Sequence, residues 1–580
     1  MKMTKRLAAM AAAMVMAATM CAGGYIASAA PETSGSTLNV DTTNDKAAHT
    51  YTAFQIFTGS YSDDSGLVIS DWAADFNSVG LLADQDFLNM EIEGKKIGES
   101  IGASSSADEV ARVLEKISSK SEEATQLAKI LAKYAGGSGS DISSNKLNAG
   151  YWLIKDSYEK AGTAGEATND AVSLYLLKVT SGDGQFNITP KKDVPSLEKK
   201  VSENVKNVVG KPDNESDETN AEKWNDVADY CIGDDVPFKL YGTLPDAESY
   251  DAYEHYYYKF TDNLGEQFDA PEAKDIVVSV NGTPITDPGK NMRVVVNSHE
   301  ITVTFEDIKV FAPNSTDIIT VEYSAVLSSN AEIGLPGQEN TAFVTYSNNP
   351  NIEYNPNTSD DEEDTPKDDD NKEQTDDTPK DKVIVFTYQL DVTKQDSITG
   401  EKLENAEFVL YRLTDDGGKE YAVLDAAKKI KSWTAGDFNG DMEFTGTVTP
   451  TTLKSDETGN FSVIGLDDGI YYLKETKAPT GYQLLDDDVK LNITATTAND
   501  QNWSGTAGDA LAALNIEVAG VGSIGSVETG SVSMTVENAK GTNLPETGGM
   551  GTKLFVIGGG LTAGAAGIYL ITKKRTKDAE

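Results

Sequence analysis

The sequence predicts a mainly β protein of tandem immunoglobulin-like β-sandwich domains, the first of them carrying an added helical insertion. Three observations predict it. Apolar residues alternate with period two along most of the chain, as in Thr50-Tyr-Thr-Ala-Phe-Gln-Ile-Phe57, Val236-Pro-Phe-Lys-Leu240 and Ile301-Thr-Val-Thr-Phe305. Turn residues such as Asn281-Gly282 and Asp287-Pro288-Gly289 separate these runs at short intervals. Ala107 to Ala135 instead shows helical spacing, with Val110, Val113, Leu114 and Ile117 on one face and Leu127, Ile130 and Leu131 continuing it.

The two ends bracket this body. Lys2, Lys5 and Arg6 precede an apolar run from Leu7 to Cys21, and Ala27-Ser28-Ala29 stands just before Ala30-Pro31. That is the layout of a secretory signal peptide cleaved between Ala29 and Ala30. At the other end Leu544-Pro545-Glu546-Thr547-Gly548 is followed by an apolar stretch from Leu554 to Ile571 and by Lys573, Lys574 and Arg575. The stretch is about long enough to cross a bilayer, with the basic tail left inside.

Composition narrows the function class. The chain carries 93 acidic and 49 basic residues, a net charge of −44. Nucleic acid is excluded as a partner, because phosphate binding needs clustered Lys and Arg. Of the 2 cysteines, Cys21 falls in the signal peptide, so Cys231 has no partner for an internal disulfide. An exported protein without disulfides must draw its robustness from another source.

The organisation that follows is a signal peptide at 1–29, a first domain at 30–192, a middle β-sandwich at 193–356, an acidic linker at 357–382, a second β-sandwich at 383–541 and the terminal segment at 544–580. In the first domain Thr37–Val40, Thr50–Phe57, Gly150–Ile154 and Val172–Leu177 read as strands around the helical stretch. The linker assignment rests on its almost wholly charged and polar composition, including Asp364-Thr-Pro-Lys-Asp368 and again Asp377-Thr-Pro-Lys-Asp381. Its carboxylates lack the Asp/Gly spacing of an EF-hand loop, so no metal is expected there. In the last region Val385 to Val392, Glu407 to Tyr411, Gly469 to Lys474 and Ser533 to Val536 read as strands.

Four segments resemble known motifs. Pentapeptide, apolar span and basic tail together resemble the sorting signal read by sortases, which implies cleavage between Thr547 and Gly548 and transfer of Thr547 to an amine. Tyr471-Tyr-Leu-Lys-Glu475-Thr-Lys-Ala-Pro-Thr-Gly-Tyr482 resembles the E-box of Gram-positive pilins and of collagen-adhesin B-type repeats. Leu390-Asp-Val-Thr-Lys394-Gln-Asp396, leading to Asn405-Ala-Glu-Phe-Val-Leu-Tyr411, resembles the first strands of that fold, and Val536-Glu-Asn538 its last. The resemblance implies an intramolecular isopeptide bond from Lys394 to Asn538, assisted by Glu475. The residues argue independently for the same chemistry. Period-two alternation places Lys394 behind the inward Leu390 and Val392. Burial lowers a lysine pKa and raises that of a glutamate, so a neutral amine could attack while a protonated Glu475 polarises the Asn538 carbonyl.

The middle region offers a second such set. Leu197, Lys199 and Val201 alternate, placing Lys199 inward and Lys200 outward. Glu339-Asn340-Thr-Ala-Phe-Val-Thr-Tyr346 resembles the closing strand of the collagen-adhesin A-type pilin domain, which implies Asn340 as acceptor. The acid is Asp262, which shares a strand face with Phe260, or alternatively Asp234, placed where a turn would begin. Between the first two regions, Phe186-Asn-Ile-Thr-Pro190-Lys191-Lys192 resembles the pilin motif, whose lysine takes the sortase-bound threonine of the next subunit. Position favours Lys191, with Lys192 the alternative, since Thr189 and Lys192 depart from the usual motif.

The resemblance therefore implies a sortase-assembled major (backbone) pilin, secreted and anchored in the cell wall. Sortase, identical subunits in a covalent polymer, peptidoglycan and accessory pilins are the expected partners. The rival reading is a solitary wall-anchored adhesin or an ancillary pilin that binds a host ligand. No cofactor, no metal and no enzymatic activity on external substrates is expected. His49, His255 and His299 have no evident nucleophile or metal partner, and no phosphate loop or zinc spacing is present.

Overall fold

The computed structural model describes residues 36–540 apart from short internal stretches, the longest of them 205–223. The signal peptide, the Ala29–Ala30 site, the sorting motif Leu544 to Gly548 with Thr547, and Lys191 lie outside the described residues. What is described is a series of β-sheets with a small helical part, as alternation predicts.

In the first domain the strands Gly66–Trp72, Thr50–Ser62, Gly150–Ser157 and Leu174–Val179 form a sheet in that order. Thr37–Val40 pairs in parallel with Gln185–Ile188 at its border. The helical stretch is broken. Ala107–Leu114 is capped by a Ser106–Glu109 capping box, and Glu122–Tyr134 starts afresh from Ser121, whose side chain accepts from the Ala124 N–H. The four polar residues Ser118 to Ser121 satisfy helix ends better than helix interiors, which accounts for the break. Val110, Leu114, Leu127, Ile130 and Leu131 are buried beneath the sheet, as their periodicity requires.

The middle domain is a sandwich of two sheets. One runs Trp224–Asn225, Leu197–Ser202, Asp235–Gly242, Ile319–Leu327, Val277–Val280 and Thr283–Pro284. The other runs Val227–Asp229, Asp381–Phe386, Gln338–Ser347, Tyr258–Leu264, Glu300–Phe305 and Met292–Asn297. Asn281 and Gly282, both at positive φ, make the tight turn between Val277–Val280 and Thr283–Pro284. The C-terminal domain pairs a three-stranded sheet (Asn460–Leu466, Tyr388–Asp396, Ser531–Asn538) with an eight-stranded one that contains Glu407–Leu413, Gly469–Lys477 and Val489–Thr497.

The acidic linker expected over 357–382 requires correction. Thr375–Asp377 and Asp381–Phe386 are strands of the middle domain, paired with Gln338–Ser347. The run read as one strand from Val385 to Val392 belongs to two domains. Asp381–Phe386 closes the middle sheet and, after Thr387, Tyr388–Asp396 opens the next domain. Charge alone suggested solvation, but Asp376 is fully buried, accepting from the Tyr158 hydroxyl at 2.6 Å and the Asp170 N–H at 3.2 Å. Asp377 accepts from Thr345 Oγ1 at 2.7 Å and pairs with Lys160 at 3.3 Å. Satisfied hydrogen bonds let these carboxylates leave water. The segment thereby fastens the first domain to the middle one.

The middle and C-terminal domains share one continuous apolar core. They also touch backbone to backbone: a Cβ on Gly334 would lie 2.2 Å from the Gly530 nitrogen, so both positions need glycine.

Candidate functional site

The buried face of Tyr388–Asp396 carries Tyr388, Leu390, Val392, Lys394 and Asp396, and that of Gly469–Lys477 carries Tyr471, Leu473 and Glu475. Ser531–Asn538 runs parallel to the first of these, with Lys394 opposite Val536 and Asp396 opposite Asn538. Three residues far apart in sequence thus meet inside the sandwich: Lys394 and Asn538 from one sheet, Glu475 from the other.

Lys394 Nζ donates to Asn538 Oδ1 at 2.7 Å and to the Val536 carbonyl at 3.2 Å. Asn538 Nδ2 donates to Glu475 Oε1 at 2.9 Å and to the Gln483 carbonyl at 3.0 Å, and the Leu485 N–H donates to Glu475 Oε2 at 2.9 Å. Lys394 and Asn538 are fully buried, and Glu475 nearly so. Burial pushes the Lys394 amine down to about 8 and pushes the Glu475 carboxyl up. Both shifts move the pair toward its neutral form. Glu475 faces the amide nitrogen of Asn538, not the carbonyl oxygen that the sequence reading had it polarise. The acid therefore stands where a leaving nitrogen needs a proton, and a half-turn of the amide would bring the oxygen to it.

The middle domain repeats the arrangement with a different division of strands. Lys199 (on Leu197–Ser202) and Tyr323 (on Ile319–Leu327) come from one sheet, Asp262 (on Tyr258–Leu264) and Asn340 (on Gln338–Ser347) from the facing one. Lys199 Nζ donates to Asp262 Oδ2 and, at 3.3 Å, to the Tyr323 hydroxyl. That hydroxyl donates to Asp262 Oδ2 at 2.7 Å and accepts from Asn340 Nδ2 at 2.9 Å. Lys199, Asp262 and Asn340 are all fully buried, and burial pushes the Lys199 amine down. Asp262 Oδ1 and Asn340 Oδ1 are buried without a hydrogen-bond partner. Each such atom costs on the order of 1–3 kcal/mol, an expense that persists mainly where chemistry needs it.

Asp262 rather than Asp234 therefore meets the lysine. Asp234 sits in a turn, its N–H on the Cys231 carbonyl and its carboxylate 3.8 Å from Arg412. Lys200, expected outward, is covered as well, held by Asp226 at 2.6 Å and Glu198 at 2.9 Å. Sequence reasoning missed Tyr323. Its inward position between Val321 and Ala325 was legible from alternation, but a lone tyrosine on a strand carries no mark of its partners.

Of the two lysines at the first junction, the structure describes Lys192. Its side chain is buried against Asp45 at 2.8 Å and Asp170 at 3.2 Å. His49, which had no evident nucleophile or metal partner in the sequence, belongs to the same cluster, 2.6 Å from Asp156 and 3.1 Å from Asp170. A lysine held this way is closed to another protein's active site.

Comparisons with known proteins bear on the family resemblance and the fold. Residues 388–506 match the family model described as the SpaA prealbumin-like fold domain. The trypsin-resistant surface T6 protein of Streptococcus pyogenes serotype M6 is 24% identical over 477 residues, covering 73% of this chain and 75% of its own length. The chain is thus similar to a streptococcal surface protein over most of its length. A fimbrial subunit type 2 of Actinomyces naeslundii is 27% identical over 273 residues, 44% of this chain and 46% of that one. Among solved structures, the T6 backbone pilin, described as a modular three-domain structure decorated with variable loops and extensions, superposes with a TM-score of 0.50. That match covers 89% of this chain and 100% of that one at 16% identity, and speaks for the fold. The multi-sheet pilin architecture and the lysine–acid–asparagine sites thus occur together in this chain.

Proposed function

We propose that this pilin is the shaft subunit of a covalent surface pilus, polymerised by sortase through Thr547 of one subunit and Lys191 of the next. Internal isopeptide bonds, Lys394–Asn538 and Lys199–Asn340, stiffen each subunit. The single observation that carries the reading is the amine of Lys394 hydrogen-bonded to the side-chain amide of Asn538, with Glu475 on the same amide. A neutral Nζ attacks Cγ of Asn538. The Nζ–Cγ bond forms, the Cγ–Nδ2 bond breaks, and the proton given up by the amine passes through Glu475 to the departing nitrogen, which leaves as ammonia. No oxidant or cofactor is required. In the middle domain Asp262 takes the acid's part and Tyr323 holds it against Asn340.

The load argument supports the shaft. The Lys394–Asn538 bond joins the first and last strands of the C-terminal domain, so tension entering at one strand leaves through the other without opening the sandwich. A non-covalent domain has about 5–15 kcal/mol to resist unfolding. Lys192 is occupied by Asp45 and Asp170, which leaves Lys191 as the amine of this motif for intersubunit linkage. In this reading the signal peptide ending at Ala29 directs export and the segment from Leu544 anchors the finished polymer to peptidoglycan.

Immunoblotting of wall extracts tests the reading. A high-mass ladder that collapses to one band in Lys191→Ala is expected. A single band in the unmodified strain would favour a solitary wall-anchored adhesin.

A further inference from the structure

The stretch from Tyr471 to Tyr482 ends in a tyrosine to which the cross-linking chemistry gives no part. After Gly469–Lys477 the chain turns through Pro479, Thr480 and Gly481, with the Tyr482 N–H on the Pro479 carbonyl at 3.0 Å and Gly481 at a φ of +89°. A turn of this kind takes glycine at its third position, and it returns the chain over the end of Ser531–Asn538. There Tyr482 forms an isolated antiparallel bridge with Lys540, and the Gln483 N–H donates to the Ala539 carbonyl at 3.1 Å.

The backbone that follows addresses both groups that Lys394 needs. The Gln483 carbonyl accepts from Asn538 Nδ2 at 3.0 Å, and the Leu485 N–H donates to Glu475 Oε2 at 2.9 Å. The Asn538 amide has two orientations related by a half-turn. In the observed one Nδ2 faces the Gln483 carbonyl and Glu475, which leaves Oδ1 to the Lys394 amine. In the reverse one Oδ1 would face the Gln483 oxygen with no hydrogen between them, because both atoms only accept. The Gln483 carbonyl therefore sets the nitrogen that must leave against the acid. The Leu485 N–H engages Oε2 and leaves Oε1 of the acid toward that nitrogen.

Few side chains hold this segment. Gln483 and Leu484 are exposed. Its anchors are Leu485, which is buried, and Tyr482, whose hydroxyl donates to Asp396 Oδ2 at 2.9 Å. Asp396 is 3% exposed, stands opposite Asn538 in the parallel register and lies two residues beyond Lys394 on the same inward face. Its Oδ1 accepts the N–H groups of Ile398 and Thr399, both at 2.8 Å, so the carboxylate is fixed independently of the tyrosine. The Thr399 and Ile398 N–H groups also hold its carboxyl well below the usual carboxylate range, which keeps it an acceptor at neutral pH.

We infer that Tyr482 is a positioning residue for the Lys394–Asn538 cross-link: by tying the 482–485 segment to Asp396, on the strand of the nucleophile, it fixes the backbone groups that orient the Asn538 amide and the Glu475 carboxyl. The hydroxyl bonds Asp396 and not the amine or the acid, so it acts through the segment. Resting on the cross-link proposed for this domain, the assignment names a residue that sets its rate. A misplacement of about 1 Å at a group that orients a reacting centre costs on the order of 10²-fold in rate, so a partial drift of the segment costs about tenfold.

The test uses the full secreted chain made by cell-free synthesis, quenched in denaturant at intervals and digested, with the branched Lys394–Asn538 peptide quantified by mass spectrometry. Tyr482→Phe removes only the hydroxyl. It should slow the branched peptide about tenfold, by the same factor at pH 6 and at pH 8, because neither the amine nor the acid is touched. The finished cross-linked variant should melt within about 2 °C of the parent. Asp396→Asn keeps an oxygen for the Ile398 and Thr399 N–H groups and offers its amide nitrogen to the tyrosine oxygen, so it should stay within about threefold of the parent rate. A Tyr482→Phe rate equal to the parent's would overturn the inference. So would an unchanged rate coupled to a much lower melting temperature, since the tyrosine would then only hold the domain together. Asp396→Asn slowed as far as Tyr482→Phe would overturn it too, because the charge of Asp396 and not its tie to Tyr482 would be at work. A parent chain that never forms the branched peptide would refute the cross-link itself, and the inference with it.

Discussion

Replacing Glu475 by glutamine isolates the acid's role in the C-terminal cross-link. The change keeps the size of the side chain and an acceptor for the Leu485 N–H, which now approaches Glu475 Oε2 at 2.9 Å. It removes the group that can carry a proton to the Asn538 nitrogen. The account predicts a folded chain one ammonia heavier than the parent, with Lys394 and Asn538 still side by side but unbonded. The energetic consequence follows from the loop that the bond closes. Lys394 and Asn538 are 144 residues apart. Loop-closure entropy for a cross-link of that span stabilises by about 5 kcal/mol at 25 °C, treating the isopeptide as any other covalent tie. For a domain of this size each kcal/mol moves the melting temperature by roughly 2–4 °C, so a fall of about 10–20 °C is expected. Intact-mass spectrometry of the full ectodomain measures the first quantity and scanning calorimetry the second. A Glu475→Gln protein that still lacks the ammonia would refute the assignment of Glu475. A variant that retains the ammonia yet melts with the parent would refute the mechanical argument built on the bond.

Asp262→Asn should abolish the middle-domain cross-link while Asp234→Asn leaves it intact, read as one ammonia gained or not gained in the same mass measurement. Tyr323→Phe should slow that cross-link without abolishing it, because Asp262 still reaches Lys199; the fraction of newly synthesised chain that has lost the ammonia, followed over time, shows the delay. Formation of the Lys394–Asn538 bond should depend on pH. The amine is neutral above its value of about 8, so a chain made without the bond and folded for the first time should cross-link roughly tens of times faster at pH 8 than at pH 6, and a flat profile would contradict a neutral nucleophile. Lys192→Met should lower the stability of the first domain by about 3 kcal/mol, chiefly through an uncompensated Asp45, since His49 still pairs with Asp170, while leaving polymerisation of the folded subunits intact.

The strands and the inward register of Lys394 and Lys199 were legible because alternation fixes which side chain enters a sandwich, whereas Asn538 and Asn340 were implied only by the resemblance of their strands to those of pilin domains. Asp262 was legible for the same reason, standing on the face of Phe260. Three features were not. The strand Asp381–Phe386 pairs with Val227–Asp229 and Gln338–Ser347, and no local pattern announces which of two neighbouring sheets a strand will join. Asp376 and Asp377 read as solvated because their partners, Tyr158, Asp170, Thr345 and Lys160, are supplied by distant segments. The side of the amide that Glu475 addresses depends on the Gln483 carbonyl, which holds Asn538 Nδ2 on the glutamate side. In each case the deciding contact is long-range, and residue types on their own do not encode it.

The most direct test of the central claim is tandem mass spectrometry of digested wall extracts, searching for branched peptides that contain Thr547. The account predicts a branch joining the Thr547 carbonyl to the side-chain amine of Lys191 in a second copy of this chain, present in the parent and absent in Lys191→Ala. A branch at Lys192 would contradict the burial argument at the first junction. Thr547 found only on cell-wall peptide, with no lysine of this chain attached, would contradict the shaft itself.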